Sequence, residues 1–307
     1  MQAVAFSYIN PDLDGVACSI ALEVLGCPKW SARILGTIDA ETSAVLEMLG
    51  FAVPPAVEAW DLIDEIWLVD THHPNQLPPD LPEARVTRIT DHHLSGDASR
   101  YPNADVQNEL VGAAATLIAE RFFQRKISVP RDLAPLLQAA IISNTLDFRA
   151  PATSSRDHLA YETLRSINPA DPVLFDKMRD ARRAGLRRDI GSILRTDTKT
   201  FDTAYGAVII SQVEAPGALE LLEHANFTKV LNEMAAARSC ALAIANLVDT
   251  EQCKSAVVAT EVIVARVLSA GLHRPLDPDG VIRVDRLLQR KTDIVPHIMN
   301  ADILQSL

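Results

Sequence analysis

Val86-Thr87-Arg88-Ile89-Thr90-Asp91-His92-His93 runs from a short apolar strand straight into an acid and two imidazoles. Two other stretches follow the same plan. Residues 3–9 lead into Asn10-Pro11-Asp12-Leu13-Asp14, and residues 66–69 lead into Asp70-Thr71-His72-His73. Carboxylates and imidazoles therefore gather where buried strands end, the edge at which open α/β sheets bind ligands. Carboxylates brought that close repel one another unless a cation neutralises them. The pattern predicts a divalent-metal site, and neutral imidazole with carboxylate suits Mn²⁺ or a related ion. Simpler readings exist for each stretch. Asp12 or Asp14 taken alone is a helix cap. Asp70 fits that reading less well, because Thr71-His72-His73-Pro74 is not a helix start and a buried strand-end carboxylate is costly unless paired or metal-bound. For Asp91-His92-His93 the simple reading is a polar loop, against which stand three consecutive titratable residues immediately after a strand.

Working outward, residues 1–147 alternate strand-like and helix-like runs, the pattern of a parallel sheet covered on both faces. Helices are expected over residues 14–25, 41–49, 111–123, 133–142, 156–167 and 172–183, with a further short strand over 31–35. Five arginines (Arg179, Arg182, Arg183, Arg187, Arg188) around Gly185 read as an exposed linker. The expected domains are therefore residues 1–185 and 189–307. In the second, strands are expected over 208–213, 241–248 and 256–259, a long helix over 216–237 and a closing helix over 294–304.

The chain has 307 residues, 48% hydrophobic and 22% charged, which suits two globular domains. No apolar run approaches the roughly 20 residues that span a bilayer, and the first residues read as a strand rather than a secretory signal. Cys18, Cys27, Cys240 and Cys253 lack metal-knuckle spacing and read as core thiols of a reducing, cytoplasmic protein. A net charge of −11 disfavours an extended nucleic-acid footprint. It leaves room for a small anionic substrate where metal ions reverse the local charge.

Three further stretches complete a recognisable set: Ser143-Asn144-Thr145-Leu146, Leu194-Arg195-Thr196-Asp197-Thr198-Lys199-Thr200-Phe201 and Gln289-Arg290-Lys291-Thr292-Asp293. With the strand-end acids, this ordered set resembles the DHH phosphoesterase superfamily, and within it the manganese-dependent (family II) inorganic pyrophosphatases and exopolyphosphatases. The resemblance implies an N-terminal DHH domain and a smaller DHHA2-like α/β domain with the active site in the cleft between them. It also implies hydrolysis of phosphoanhydride bonds in pyrophosphate or short polyphosphate by a metal-activated water. Carried over position by position, Asp12 and Asp70 serve one ion. Asp14, Asp70, His92 and the residue at Asn144 serve the other, with Asp70 bridging. His93, Lys199, Arg290 and Lys291 meet substrate phosphate; Asp14, Asp70 and His93 are the expected catalytic residues. The implied cofactor is Mn²⁺, with Co²⁺ or Mg²⁺ as substitutes. A small anionic phosphate is the implied partner, with a homodimer as a compatible assembly.

The sequence also departs from that family. Tyr8 stands where the pyrophosphatases carry a histidine ligand, and Asn144 where they carry an aspartate. Asp147, His72 and His73 are near enough in sequence to compensate. These departures keep two alternatives open: a phosphodiesterase acting on short oligonucleotides or cyclic dinucleotides, and a degenerate protein that binds a phosphorylated ligand without turnover.

Overall fold

The apolar runs become strands because Val, Ile, Leu and Trp pack well on a pleated surface buried on both faces. The computed structural model describes residues 2–26, 29–93, 96–203 and 205–299. The chain divides into two α/β units, Met1–Ala181 and Arg182–Leu307.

In the first unit the order is β1 (Ala3–Phe6), α1 (Leu13–Leu25), β2 (Trp30–Ala32), α2 (Ala40–Leu49), β3 (Glu65–Val69), β4 (Val86–Asp91), β5 (Asp105–Asn108), α3 (Ala114–Gln124), α4 (Leu133–Asn144), α5 (Ser155–Ile167) and α6 (Pro172–Gly185). The strands pair in parallel in the spatial order β2-β1-β3-β4-β5. Strand order therefore reverses at β1, and the crevice at the carboxyl ends of β1 and β3 is the topological switch point where such sheets bind ligands. Asp12 and Asp14 follow β1, and Asp70 follows β3.

Local chemistry explains the principal helices. Asp12 caps α1, its side chain accepting the Gly15 N–H, and Asp39 caps α2 through Thr42 N–H. Helix α4 is apolar around nearly its whole circumference and sits in the main core with α1 and α3. Its single buried amide, Gln138, is satisfied by Ala134 O, Asn168 O and Ala170 N–H. The edge strand β5 escapes a periodicity reading because Asp-Val-Gln-Asn is mostly exposed and shows no apolar alternation. The first strand stops at Phe6, earlier than its apolar run suggests, and Ile9 makes only an isolated bridge to Leu35.

The second unit runs α7 (Ile190–Thr196), β6 (Thr198–Thr203), β7 (Gly206–Ala215), α8 (Phe227–Ala237), β8 (Leu242–Asp249), β9 (Lys254–Ala259), α9 (Val262–Gly271), β10 (Val281–Val284) and α10 (Val295–Met299). Its sheet is mixed, ordered β10-β9-β8-β7-β6, with β7 and β8 parallel and the other pairs antiparallel. One face carries α7 and α8, the other α9 and α10, each with its own apolar cluster. Strands β6 and β10 and helix α9 are additions to the sequence reading. The long helix expected over 216–237 is corrected: Gly217 takes a left-handed φ of 83°, a 3₁₀ segment covers Ala218–Glu223, and the α-helix restarts only at Phe227. The closing helix begins as a wide π-helical turn at Arg290–Ile294 before α10, and its expected last turn lies outside the described residues. Cys18 is buried, and it, Cys240 and Cys253 are unbridged; Cys27 lies outside the described residues. Among the described residues no helix is long and apolar enough to cross a membrane.

Candidate metal centre

Two of the strand ends place their side chains by strained backbone. Asn10 (φ 59°) and Asp70 (φ 60°) both sit in the left-handed region, which costs about 1–3 kcal/mol for a non-glycine residue. Asn10 is held by accepting the Thr37 N–H at 3.0 Å, and Asp70 by donating its own N–H to Thr90 O at 2.8 Å. The carboxylate of Asp70 is thereby turned into the switch-point crevice, buried beside His92 and His93.

His92 is fixed by a backbone carbonyl. Its Nδ1 lies 2.8 Å from Val111 O, which can only accept, so the proton belongs on Nδ1 and Nε2 presents a lone pair. That Nε2 faces Asp70 Oδ1 at 3.2 Å. A lone pair against a carboxylate oxygen is repulsive unless a proton or a metal ion stands between them. His93 Nδ1 lies 3.8 Å from the same Asp70 oxygen. Asp70, His92 and His93 can thus offer three ligand atoms within 4.8 Å of one another, the one such group among the described residues.

Asp14 lies in the first turn of α1, fully buried, with its oxygens on the amino-terminal end of α3. Oδ2 accepts the Ala114 N–H at 2.7 Å and Oδ1 the Ala115 N–H at 2.8 Å. Burial first, then the neighbouring Asp70 carboxylate, push the Asp14 carboxyl well above the usual carboxylate range; Asp12 adds to this and His92 opposes it. Three carboxylates crowding one another in this way are what a divalent cation would relieve, so the donor set fits such an ion. Cys18, beside Asp14, has its thiol pushed far up by burial and by the same carboxylates, as expected of an inert core sulfur.

Asp12 is half-buried and serves as the α1 cap through Oδ1, while its backbone N–H donates to the Tyr8 hydroxyl at 3.3 Å. Tyr8 is thus beside Asp12, at the place where a histidine was expected. Asn144, at the last turn of α4, turns its amide nitrogen to the site: Nδ2 donates to Asp14 Oδ2 at 2.8 Å and lies 3.3 Å from His92 Nε2. Asn144 therefore presents a donor, not an oxygen ligand, to both neighbours. The residues after it, Leu146, Asp147 and Phe148, are left-handed in succession (φ 50°, 59° and 60°).

The three residues considered as compensating ligands have other partners or positions. His72 Nδ1 is hydrogen-bonded to Asp91 Oδ2 in a fully buried pair. His73 Nδ1 accepts the Asn75 N–H at 3.2 Å and caps a short turn, and Asp147 is exposed. Asp91 itself is an organiser that a motif reading underrates. Its Oδ1 accepts the His92 N–H at 2.7 Å, the His93 N–H at 3.1 Å and His93 Nδ1 at 2.8 Å. Burial works to raise the Asp91 carboxyl, but the surrounding His93, His72 and His92 outweigh it and hold it well below the usual range.

In the second unit, Lys199 lies on the half-buried strand β6, and Lys291 lies in the π-helical turn. Arg290 is almost wholly buried and committed to structure: Nη2 grips both oxygens of Asp197 at 2.7 and 3.0 Å, and Nη1 donates to Asp197 O and Ile210 O. It closes a polar network in which Gln212 Oε1 accepts both the Arg290 N–H and the Asn246 amide.

Comparison with known proteins agrees with this architecture. The family model described as "DHH family, N-terminal domain" matches residues 3–141, and that of the "DHHA2 domain" matches residues 176–301. A Lactobacillus gasseri protein named "Probable manganese-dependent inorganic pyrophosphatase" is 27% identical, covering 98% of each chain. A Bacillus pumilus protein of the same name is 26% identical over 98% of this chain and 99% of its own. The crystal structure of a Methanococcus jannaschii protein, a "putative family II inorganic pyrophosphatase", superimposes with a TM-score of 0.82 at 26% identity, covering 96% of this chain and 98% of that one. With a DHH domain followed by a DHHA2 domain over most of its length, the chain belongs to the DHH family.

Proposed function

We propose that this protein is a divalent-metal-dependent hydrolase of the phosphoanhydride bonds of inorganic pyrophosphate or short polyphosphate. The observation that carries the reading is the juxtaposition of Asp70 with His92 and His93 at the switch point, beside the buried Asp14. Relatives matching along the whole chain bear the corresponding name. Divalent ions bound there, Mn²⁺ first and Co²⁺ or Mg²⁺ as substitutes, would supply Lewis-acid charge stabilisation and lower the pKa of an attacking water.

The protein's own residues divide the remaining work. Asp70, Asp14 and His92 would hold the ions, with Asp12 as a further carboxylate ligand. His93, whose Nδ1 is anchored on Asp91, directs Nε2 at a phosphate oxygen and stabilises negative charge as it develops. Lys199 and Lys291 bind phosphate oxygens, while Arg290 acts through the segment it anchors on Asp197. Asn144 keeps Asp14 and His92 together by its amide nitrogen in place of an anionic ligand. The net charge of −11 disfavours extended nucleic acid as substrate and leaves room for a small anion where metal ions reverse the local charge. We place the protein in the cytoplasm, with a homodimer as a compatible assembly.

Tyr8 and Asn144 favour a second reading, a phospholigand-binding protein without turnover. Phosphate release from pyrophosphate, tripolyphosphate and a dinucleotide, each with Mn²⁺, Co²⁺ or Mg²⁺, separates the two. Turnover of pyrophosphate is the expected result. Cleavage of the dinucleotide alone would refute the proposal, and silence on all three substrates would leave the binding protein.

A further inference from the structure

The first N–H groups of any helix lack partners within that helix. Two acids hold the backbone where α3 begins. Asp14 takes the N–H groups of Ala114 and Ala115. Asp157, from the first turn of α5, takes the Gly112 N–H at 2.8 Å and the Ala113 N–H at 3.3 Å, and the Thr116 hydroxyl at 2.6 Å. Its Oδ2 also accepts the Ser154 N–H and hydroxyl, both at 2.7 Å. Five donors converge on a carboxylate with no solvent exposure.

Capping α5 accounts for the Ser154 bonds alone, since Ser154 and Asp157 form a capping box. The other three reach across 41 to 45 residues of sequence to the start of a different helix. The backbone they hold is the backbone that aims two candidate ligands. Val111 O accepts from His92 Nδ1, and the Ala114 and Ala115 N–H groups donate to Asp14. Gly112 adds a second restraint on the same segment. A Cβ there would lie 2.5 Å from Thr145 Cγ2 and 3.0 Å from Asp157 Oδ2, so the chain passes between them with no space for a side chain.

We propose that Asp157 is a positioning residue of the metal centre, which by fixing residues 112 and 113 sets the aim of His92 Nε2 and of the Asp14 carboxylate. The inference rests on the metal-dependent reading above. Hydrogen bonds to a charged, buried acceptor are the strong ones, and partners that orient a ligand are typically worth 10- to 100-fold in metal affinity.

The test is calorimetric titration of Mn²⁺ into the parent protein, Asp157→Asn, Gly112→Ala and Leu164→Ala. Leu164 is buried on the same helix as Asp157 and serves as the packing control. Asp157→Asn and Gly112→Ala should each weaken Mn²⁺ binding by roughly 10-fold or more, and excess Mn²⁺ should restore pyrophosphate turnover to Asp157→Asn. Leu164→Ala should lower the melting temperature yet keep its Mn²⁺ affinity within about twofold of the parent, well inside that ligand-orienting effect. A folded Asp157→Asn that also stays within that margin overturns the proposal, as does an equal loss in Leu164→Ala. If Asp157→Asn fails to fold, Gly112→Ala decides by the same criterion. A parent that binds no Mn²⁺ refutes the metal reading and this inference with it; a parent that binds while both variants are unmoved refutes the positioning role alone.

Discussion

Replacing Asp91 by asparagine preserves the shape of the side chain and removes its charge, at a position with no solvent exposure. Four bonds feel the change: those from His72 Nδ1, His92 N–H, His93 N–H and His93 Nδ1. A bond to a charged group is worth about 1.5–3 kcal/mol and a neutral one about 0.5–1.5, so each loses roughly 1 kcal/mol. The four share two oxygens and are not additive. Breaking a buried pair costs about 3–5 kcal/mol, and the asparagine oxygen can keep some of its bonds, so we expect about 3 kcal/mol. At about 2–4 °C per kcal/mol for a unit of this size, melting followed by circular dichroism should drop by roughly 6–12 °C. The pH dependence has a defined sign. The Asp91 carboxyl is held below its ordinary range in the folded protein. Its contribution is therefore complete above that range and is lost as pH falls through the depressed value, so the gap between parent and variant should narrow on acidification. Function separates from stability. His93 loses its orienting partner, so turnover falls, whereas His92 keeps Val111 O, so Mn²⁺ affinity changes far less than turnover does. A melting temperature within about 2 °C of the parent, less than the shift expected from 1 kcal/mol, would refute this account of Asp91. So would a narrowing of the gap as pH rises.

Three further substitutions probe the ions directly. Asp70→Ala should abolish both Mn²⁺ binding and pyrophosphate turnover, because it removes the carboxylate common to the ligand group; calorimetry showing retained binding would take Asp70 out of the centre. Asn144→Asp should act with opposite signs. It should tighten Mn²⁺ binding by restoring an anionic donor, and lower the melting temperature of the protein in a chelator by adding a carboxylate next to Asp14. The same direction in both measurements would contradict the crowding argument. Tyr8→His should tighten divalent-ion binding, since imidazole is a ligand at neutral pH where a phenol is not; an unmoved dissociation constant would separate that position from the ions.

Several parts of this protein could be read one residue at a time. An apolar run followed by Asp70, or by Asp91-His92-His93, declares a buried strand and what stands at its end, because strand burial and side-chain chemistry are local properties. The Asp12 cap and the helical runs of the first unit were legible for the same reason, whereas Arg179, Arg182 and Arg183, read as part of an exposed linker, lie within helix α6. Two of the edge strands were not legible. Asp105–Asn108 and Thr198–Thr203 pair along one side only and carry no apolar period to read. The break inside residues 216–237 was masked by helical spacing that continues across a left-handed glycine and a 3₁₀ turn.

At the centre itself, the local residue pattern suffices to bring these acids and imidazoles to strand ends, where their crowding calls for a cation. Tertiary structure alone decided how each is aimed. Asp14 meets backbone donors 100 and 101 residues away, His92 meets a carbonyl 19 residues away, and Asp157 meets the segment between them from 45 residues away. None of these pairings has a local signature. The amino-terminal end of a helix requires acceptors wherever it is buried, but which carboxylate supplies them depends on how α1, α3 and α5 pack. Asn144 shows the same limit: its identity is plain in the sequence, whereas the turning of its nitrogen toward Asp14 follows from the negative charge that packing has placed beside it.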